Sequence, residues 1–326
     1  MPNIYMHSKF ILDIYDRLDL NTKYLLIDEK DKLTTFAQSL DPLFLYDVKK
    51  LKKKSTFREF AHYFHKNKVR EFFINLINYI KYNNLKNNSE IMAFLYGFLS
   101  HYILDSTFHP YVIYKTGIFN KEKKETYKYF GKHHLMETYL DKEFINLREN
   151  INPTKYKIYN LLNTSAFSKE LNKLIDITFK ETFNVNNMSK FYYKAIIDMK
   201  FLYKHLRYDP RGFKLFLYKL ISPLTKYKLP SDIRYISYHY KEKNLNHFLN
   251  FKKKKWTYPT HKSIKRNDSV RDLYLNALNK CTNLIKEIND YLYFDKKIDL
   301  NKLIDNLSYQ TGIDCNKNQE LKYFEF

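Results

Sequence analysis

The sequence predicts an all-α fold, a multi-helix bundle that forms one domain over residues 1–326. Two observations support this prediction. Glycine and proline are scarce, at 5 and 8 residues of 326, whereas sheets need both residues at their turns. Apolar residues also recur at intervals of three and four along much of the chain, which places them on one face of a helix.

The helical spacing covers eight segments in chain order. They are 5–18, 57–82, 89–109, 132–148, 156–183, 189–206, 212–222 and 268–292. The polar loop "NNLKNNSE" ends in an Asn/Ser cap before the third segment, and Pro110 should close that helix. We expect a loop over 116–132 and the least regular structure over 223–267. A break near residue 150 leaves a helical extension over 150–326.

The net charge of +22 would draw the protein to phosphates, on nucleic acid or on an anionic membrane surface. Lysine is spread along the whole chain, and only Lys49–Lys54 and Lys252–Lys255 form clusters. This pattern favours a solvated basic surface over a dedicated polyanion site. The two cysteines, Cys281 and Cys315, are far apart, which argues against a disulfide framework and against a thiolate metal site.

The most apolar run, Ile91–Ile113, is long enough to cross a membrane, but His101 and Asp105 stand at its centre, where charge is costly. We therefore expect no transmembrane segment and a buried helix instead. The N-terminus has no basic region followed by a long apolar stretch, so we expect no signal peptide and a cytoplasmic location.

The stretch "HYILDSTFH" spaces His101, Asp105 and His109 four residues apart, on one face of a helix. A second helical segment repeats the pattern with His133 and Glu137. Imidazole and carboxylate are ligands of zinc and similar metals, and a buried hydrogen-bonded network would use the same residues. A third match, at residues 205 and 209, is set aside because Pro210 should end its helix.

Five motifs in order resemble the zinc-dependent phospholipase C / P1 nuclease superfamily, and most closely its intracellular bacterial branch. They are "MPNIYMHSKF", "SLDPLFLYD", "FHKNKVREFF", "HYILDSTFHP" and "HHLMETYLD", within residues 1–145. The resemblance implies a helical fold that holds two or three zinc ions. Asp41, His65, His101 and Asp105 would hold one zinc ion, with Asp105 reaching towards a second; His109, His133 and Glu137 would hold a separate ion; and His7 would bind the third.

The resemblance also implies a catalytic role for Asp41, which would orient the attacking water or act as general base. Two choices stay open by spacing. His62 competes with His65, and His133 is preferred over His134 because it keeps three residues before Glu137. The aspartate motif departs from the family pattern, because it lacks the glycine and has Pro42 after Asp41.

The implied activity is that of a phospholipase C-like hydrolase, a zinc-dependent phosphodiesterase. Its substrate would be a phosphodiester such as a phospholipid, with peripheral contact to an anionic membrane; nucleic acid is a less favoured substrate. The alternative is a non-catalytic helical protein with a residual or structural metal site and a basic surface that faces membrane or nucleic acid.

Overall fold

The computed structural model describes residues 3–47, 56–229, 231–241, 245–294 and 296–325. Over these ranges the protein is mostly helical, which confirms the predicted fold class. The helices are α1 (Ile4–Tyr15), α2 (Leu20–Leu26), α3 (Lys30–Phe36), α4 (Thr56–Phe64), α5 (Val69–Tyr82), α6 (Ser89–Thr116), α7 (Lys132–Glu149), α8 (Lys169–Phe183), α9 (Met188–Leu202), α10 (Phe213–Thr225), α11 (Val270–Tyr293) and α12 (Leu300–Leu303). Strands β1 (Trp256–Tyr258) and β2 (His261–Arg266) form an antiparallel hairpin before α11.

Helix α6 lies at the centre of the fold and is buried on every side. All but three of its 28 residues are buried, which explains why its sequence is apolar without a single apolar stripe. Helices α1, α3, α7 and α11 pack around it. Its polar residues therefore lie in the protein interior, where each must find a partner. In the described part of the chain, no helix combines the length and the apolar character needed to span a membrane.

The prediction that Pro110 ends this helix is wrong. The helix continues to Thr116, and Gly117 follows it with a φ of 62°. Pro110 has no N–H to donate to the Ser106 carbonyl, so one hydrogen bond of the helix is lost. The helix continues because its turns are packed against the protein on all sides. The chain at Gly312 passes so close to this carbonyl that a Cβ there would lie 2.4 Å from the oxygen. At its other end, the predicted cap is confirmed, because Asn88 Oδ1 accepts the Ile91 N–H at 3.1 Å.

The predicted helix over 57–82 is two helices, α4 and α5. They are separated by a turn in which Lys68 has a left-handed φ of 56°. The carbonyl of His65, in this turn, accepts the Tyr309 N–H at 2.9 Å. These two residues are far apart in the sequence. Apolar spacing reports only local structure, so a contact with so distant a residue does not alter it. The helical pattern of the sequence therefore continues through the turn between α4 and α5.

Other boundaries also differ from the predictions. The segment 156–183 is α-helical only from Lys169, where the Ser168 side chain accepts the Leu171 N–H, and a short 3₁₀ helix spans Ile158–Leu161 before it. Helices α2 and α3 were not predicted, and the hairpin lies in the segment expected to be least regular. Of the two lysine clusters, 252–255 is exposed, as predicted, and 49–54 lies outside the described residues. The assignment of one domain to residues 1–326 stays a prediction.

Gly97 lets α3 and α6 approach closely. A Cβ at this position would lie 2.6 Å from the Cβ of Phe36 and 2.9 Å from the Ala37 nitrogen. One turn further along α6, His101 Nδ1 donates to the Ala37 carbonyl at 2.8 Å. Because Gly97 has no side chain, the Ala37 carbonyl can come close enough to accept from His101 and orient its ring.

We expect Gly97→Ala to lower the free energy of unfolding by about 1–3 kcal/mol, the usual cost of overpacking an interior site. In a helix without such a neighbour the same change is favourable by about 1 kcal/mol. Chemical denaturation of both proteins measures the difference. A variant of equal or higher stability would show that α3 can move away at no cost.

Candidate metal centre

Five of the predicted ligands converge where α1, α4 and α6 meet the 3₁₀ turn Asp41–Leu45. They are His7, Asp41, His65, His101 and Asp105, and all are buried. His65 Nε2 lies 3.2 Å from Asp41 Oδ1, and His101 Nε2 lies 3.1 Å from Asp105 Oδ2. His7 Nε2 lies 3.3 Å from Asp105 Oδ1, and the His7 ring stacks on the His101 ring with centroids 4.1 Å apart. We call this group the inner cluster.

Backbone carbonyls orient two of the inner histidines. His65 Nδ1 donates to the Ala61 carbonyl at 2.6 Å, and His101 Nδ1 donates to the Ala37 carbonyl at 2.8 Å. A carbonyl only accepts, so the proton of each neutral ring lies on Nδ1 and the lone pair on Nε2 points into the inner cluster. This arrangement is typical of histidines that bind metals, because the carbonyl fixes both the tautomer and the ring plane.

The atoms that face one another in the inner cluster have no hydrogen-bond partner. They are both ring nitrogens of His7, Nε2 of His65 and of His101, Oδ1 of Asp41, and both carboxylate oxygens of Asp105. Each buried polar atom without a partner costs about 1–3 kcal/mol. A divalent cation would satisfy these atoms together, and ligands at ~2 Å in a tetrahedral zinc site lie about 3.3 Å apart. The residues present therefore fit a zinc site.

His101 limits how the inner cluster can be divided between ions. It belongs to two groups whose ligand atoms lie within 4.8 Å of one another, His7/His101/Asp105 and Asp41/His65/His101. Its Nδ1 is occupied by the Ala37 carbonyl, so Nε2 is available to one ion only. Asp105 has no such limit, because Oδ2 faces His101 and Oδ1 faces His7. Its carboxylate is therefore placed to bridge two positions.

His109, His133 and Glu137 form a second group, which we call the outer cluster. Their ligand atoms also lie within 4.8 Å of one another, with His133 Nε2 and Glu137 Oε1 2.7 Å apart. His109 Nδ1 donates to the Tyr309 carbonyl at 2.6 Å, which leaves Nε2 as its metal-binding atom. The His133 side chain is 37% exposed, against 0% for His101, so the outer cluster is the side that solvent reaches.

The charges of the two clusters favour metal binding at neutral pH. Burial lowers the pKa of His109 to about 3. Burial alone would raise the pKa of Asp105, but the His101 and His109 rings outweigh it and hold this pKa well below its usual range. Burial disfavours a charged His101, yet the Asp105 and Asp41 carboxylates raise its pKa. Two carboxylates thus favour a positive charge here, whether a proton or a metal ion carries it.

Ser39 accounts for the unusual aspartate motif. It lies two residues before Asp41 and has a φ of 45°, in the left-handed region that glycine adopts without strain. The side chain at this position costs about 1–2 kcal/mol. A glycine at this position would adopt the same backbone conformation without that cost.

The C-terminal segment, for which the sequence predicted no role in the site, contributes Tyr309 to both clusters. Tyr309 is fully buried, and its ring packs on His65 with centroids 4.8 Å apart. The Tyr309 carbonyl accepts from His109 Nδ1, and the Tyr309 N–H donates to the His65 carbonyl. This one residue thus connects the inner and outer clusters. No motif marks it, because the contacts of its backbone depend on the fold and hardly on its side chain.

Two further residues near the outer cluster were not assigned a role. Arg207 is buried, and its Nη2 lies 2.7 Å from His134 Nε2, beside His133. Asp141 is fully buried and accepts the N–H groups of Tyr5 and Met6 at 3.1 and 3.0 Å. It thereby holds the first turn of α1, which carries His7. Burial raises the pKa of Asp141 to about 7.

His62 and the spacing match at residues 205 and 209 belong to neither cluster. His62 is exposed and its ring packs on Phe44, with centroids 4.7 Å apart. His205 is exposed in a π-helical turn, whereas Asp209 is buried and accepts from the N–H groups of residues 214 and 215. The spacing match at 205 and 209 therefore forms no site.

We expect His65→Ala to lower the zinc content of the purified protein by about one ion per chain, because His65 Nε2 points into the inner cluster. His62→Ala is the matched control, one turn earlier on α4, and it should keep the full content. Elemental analysis of both variants measures the difference. Loss of zinc from the His62 variant alone would reverse the choice between the two histidines.

Comparison with known proteins agrees with this geometry. Residues 43–193 match the model of a family described as zinc dependent phospholipase C. No curated protein and no solved structure matches the chain. The matched segment includes six of the eight predicted ligands; His7 and Asp41 precede it. Residues 43–193 are thus similar to the zinc-dependent phospholipase C family, and the helical fold of the chain is consistent with that family.

Proposed function

We propose that the protein is a zinc-dependent phosphodiesterase of the phospholipase C type. The observation that supports this most directly is the inner cluster, in which five buried side chains direct atoms without hydrogen bonds at one another. Without a bound ion, the protein would gain stability if such residues were replaced by apolar ones, so the cluster supports a bound metal. Three of the five residues, His65, His101 and Asp105, also lie inside the segment that matches the family.

The proposed ligands follow from the lone pairs that each residue has available. Asp41, His65, His101 and Asp105 would hold the first ion, and Asp105 with His7 would serve a second position. His109, His133 and Glu137 would hold the ion of the outer cluster. Bound zinc would polarise the phosphoryl oxygen and lower the pKa of a water molecule at the site.

The protein's own groups then have separate tasks. His7, His101 and Asp105 are almost completely buried and form the floor of the site, where water is excluded. Asp41 is 6% exposed and so is less deeply buried than Asp105, which is 0% exposed. Because it is the less buried of the two carboxylates in the inner cluster, Asp41 is the group that we assign to orient the attacking water and take up its proton.

The substrate enters from the outer cluster, because His133 is the most exposed of the eight residues. A phosphodiester carries one negative charge, which suits the overall positive charge of the protein. We propose a phospholipid as the substrate. The cytoplasmic location and the intracellular bacterial branch stay predictions from the sequence.

We expect Glu137→Ala to lower the zinc content by about one ion and to leave the inner ions in place, because the outer cluster uses different ligands. Hydrolysis should slow if the outer ion only binds the substrate phosphate, and should stop if it contacts the leaving oxygen. Elemental analysis and a kinetic assay on a phosphodiester measure both effects. Glu143→Ala on the same helix is the control, and unchanged metal and activity in the Glu137 variant would contradict the proposal.

A panel of phosphatidylcholine, bis-p-nitrophenyl phosphate and single-stranded DNA tests the reaction itself. We expect the zinc-loaded protein to cleave phosphatidylcholine fastest and to lose this activity with chelator. A fully zinc-loaded protein that cleaves none of the three would support the non-catalytic alternative instead.

A further inference from the structure

Helix α10 exposes an apolar face to solvent. Its exposed apolar side chains recur at intervals of three and four, so they lie on one side of the helix. They are Phe213 (65% exposed), Phe216 (58%), Leu217 (38%), Leu220 (60%), Ile221 (40%) and Leu224 (70%). Only Tyr218 and Ser222 are buried, and they anchor the opposite side. Burial within the chain therefore does not account for the apolar face of this helix.

Positive charge surrounds this apolar face. Arg211, Lys219, Lys226 and Lys228 are all exposed. The sequence from Pro210 to Ser231 contains no aspartate or glutamate. An apolar stripe with a basic rim is the pattern of helices that lie in the plane of a membrane surface.

Helix α10 is connected to the open side of the candidate metal site. Ser222 donates to Asp232 Oδ1 at 3.1 Å, and α10 packs on the 3₁₀ turn Ile233–Ile236 that follows. The carbonyl of Tyr235 in this turn accepts from Thr138 of α7 at 3.3 Å. Helix α7 carries His133, the most exposed residue of the outer cluster, on its first turn. The apolar face and the site entrance thus share one packed unit.

We infer that α10 docks on the surface of a membrane that contains anionic lipids. Its apolar side chains would enter the boundary between headgroups and acyl chains, and the basic rim would contact lipid phosphates. A second copy of this chain is a poorer partner. A two-fold interface would bring the same basic residues of both copies together without an acidic residue between them. The docking does not depend on whether the site hydrolyses lipid.

The test is co-sedimentation of the full-length protein with vesicles of phosphatidylcholine and phosphatidylglycerol at a ratio of about 7:3. We expect binding that weakens with pure phosphatidylcholine and with added salt. Phe216→Gln/Leu220→Gln should lower the partition coefficient at least about tenfold, because two apolar side chains no longer gain from burial. Glutamine keeps the helix propensity, and circular dichroism checks folding.

Leu20→Gln/Leu147→Gln is the matched control, since these leucines are 71% and 73% exposed on other helices. This control should bind within about twofold of the parent protein, because single exposed apolar residues are common on soluble surfaces. The docking surface is wrong if the α10 variant binds like the control or if the parent binds no vesicles. It is also wrong if sedimentation velocity shows that the α10 variant turns an oligomer into a monomer while vesicle binding is unchanged.

Hydrolysis separates this inference from the proposed function. If both hold, the α10 variant should cleave a monomeric short-chain phosphatidylcholine at the parental rate and long-chain vesicles more slowly. If the parent binds vesicles but hydrolyses neither substrate, the proposed function fails and the docking surface stands. Equal cleavage of vesicles by parent and α10 variant would overturn docking as the route to a lipid substrate.

Discussion

The burial of imidazole and carboxylate groups on the central helix α6 is the constraint on which the rest of the structure depends. His101 and Asp105 are completely shielded from water, so the surrounding chain must satisfy or compensate every polar atom they carry. Backbone carbonyls do this for Nδ1 of His65 and of His101. The opposite atoms have no protein partner, and they converge where a cation would remove the cost.

Two of the three carbonyls that orient the histidines, those of Ala37 and Tyr309, come from distant parts of the chain, whereas Ala61 lies one turn before His65. Ala37 ends α3, Ala61 lies in α4 and Tyr309 lies in the C-terminal segment. Each of these segments must therefore be folded before its histidine is held in place. The close passage of α3 at Gly97 and of the C-terminal segment at Gly312 shows how tightly this shell packs. Metal binding and folding should accordingly be strongly coupled.

The sequence predicted the features that depend on local spacing. His101, Asp105 and His109 lie on one helix, so a period of four was enough to place them together. His7, Asp41 and His65 lie on separate elements, and only the order of motifs suggested their convergence. Tyr309 and Arg207 were missed because their contacts join residues far apart in the chain. At Pro110 the local rule failed, because packing around α6 outweighed the lost hydrogen bond.

Exposure and charge together favour a membrane phosphodiester over nucleic acid as the substrate. The inner cluster is buried, and the more exposed outer cluster includes His133 on α7, a helix that contacts the turn on which α10 packs. Docking of α10 would therefore bring the helix that carries His133 near the membrane surface, where lipid phosphodiesters are held. A nucleic-acid strand, in contrast, gains its affinity from a groove with stacked bases, and an exposed stripe of Phe, Leu and Ile with a basic rim suits acyl chains better.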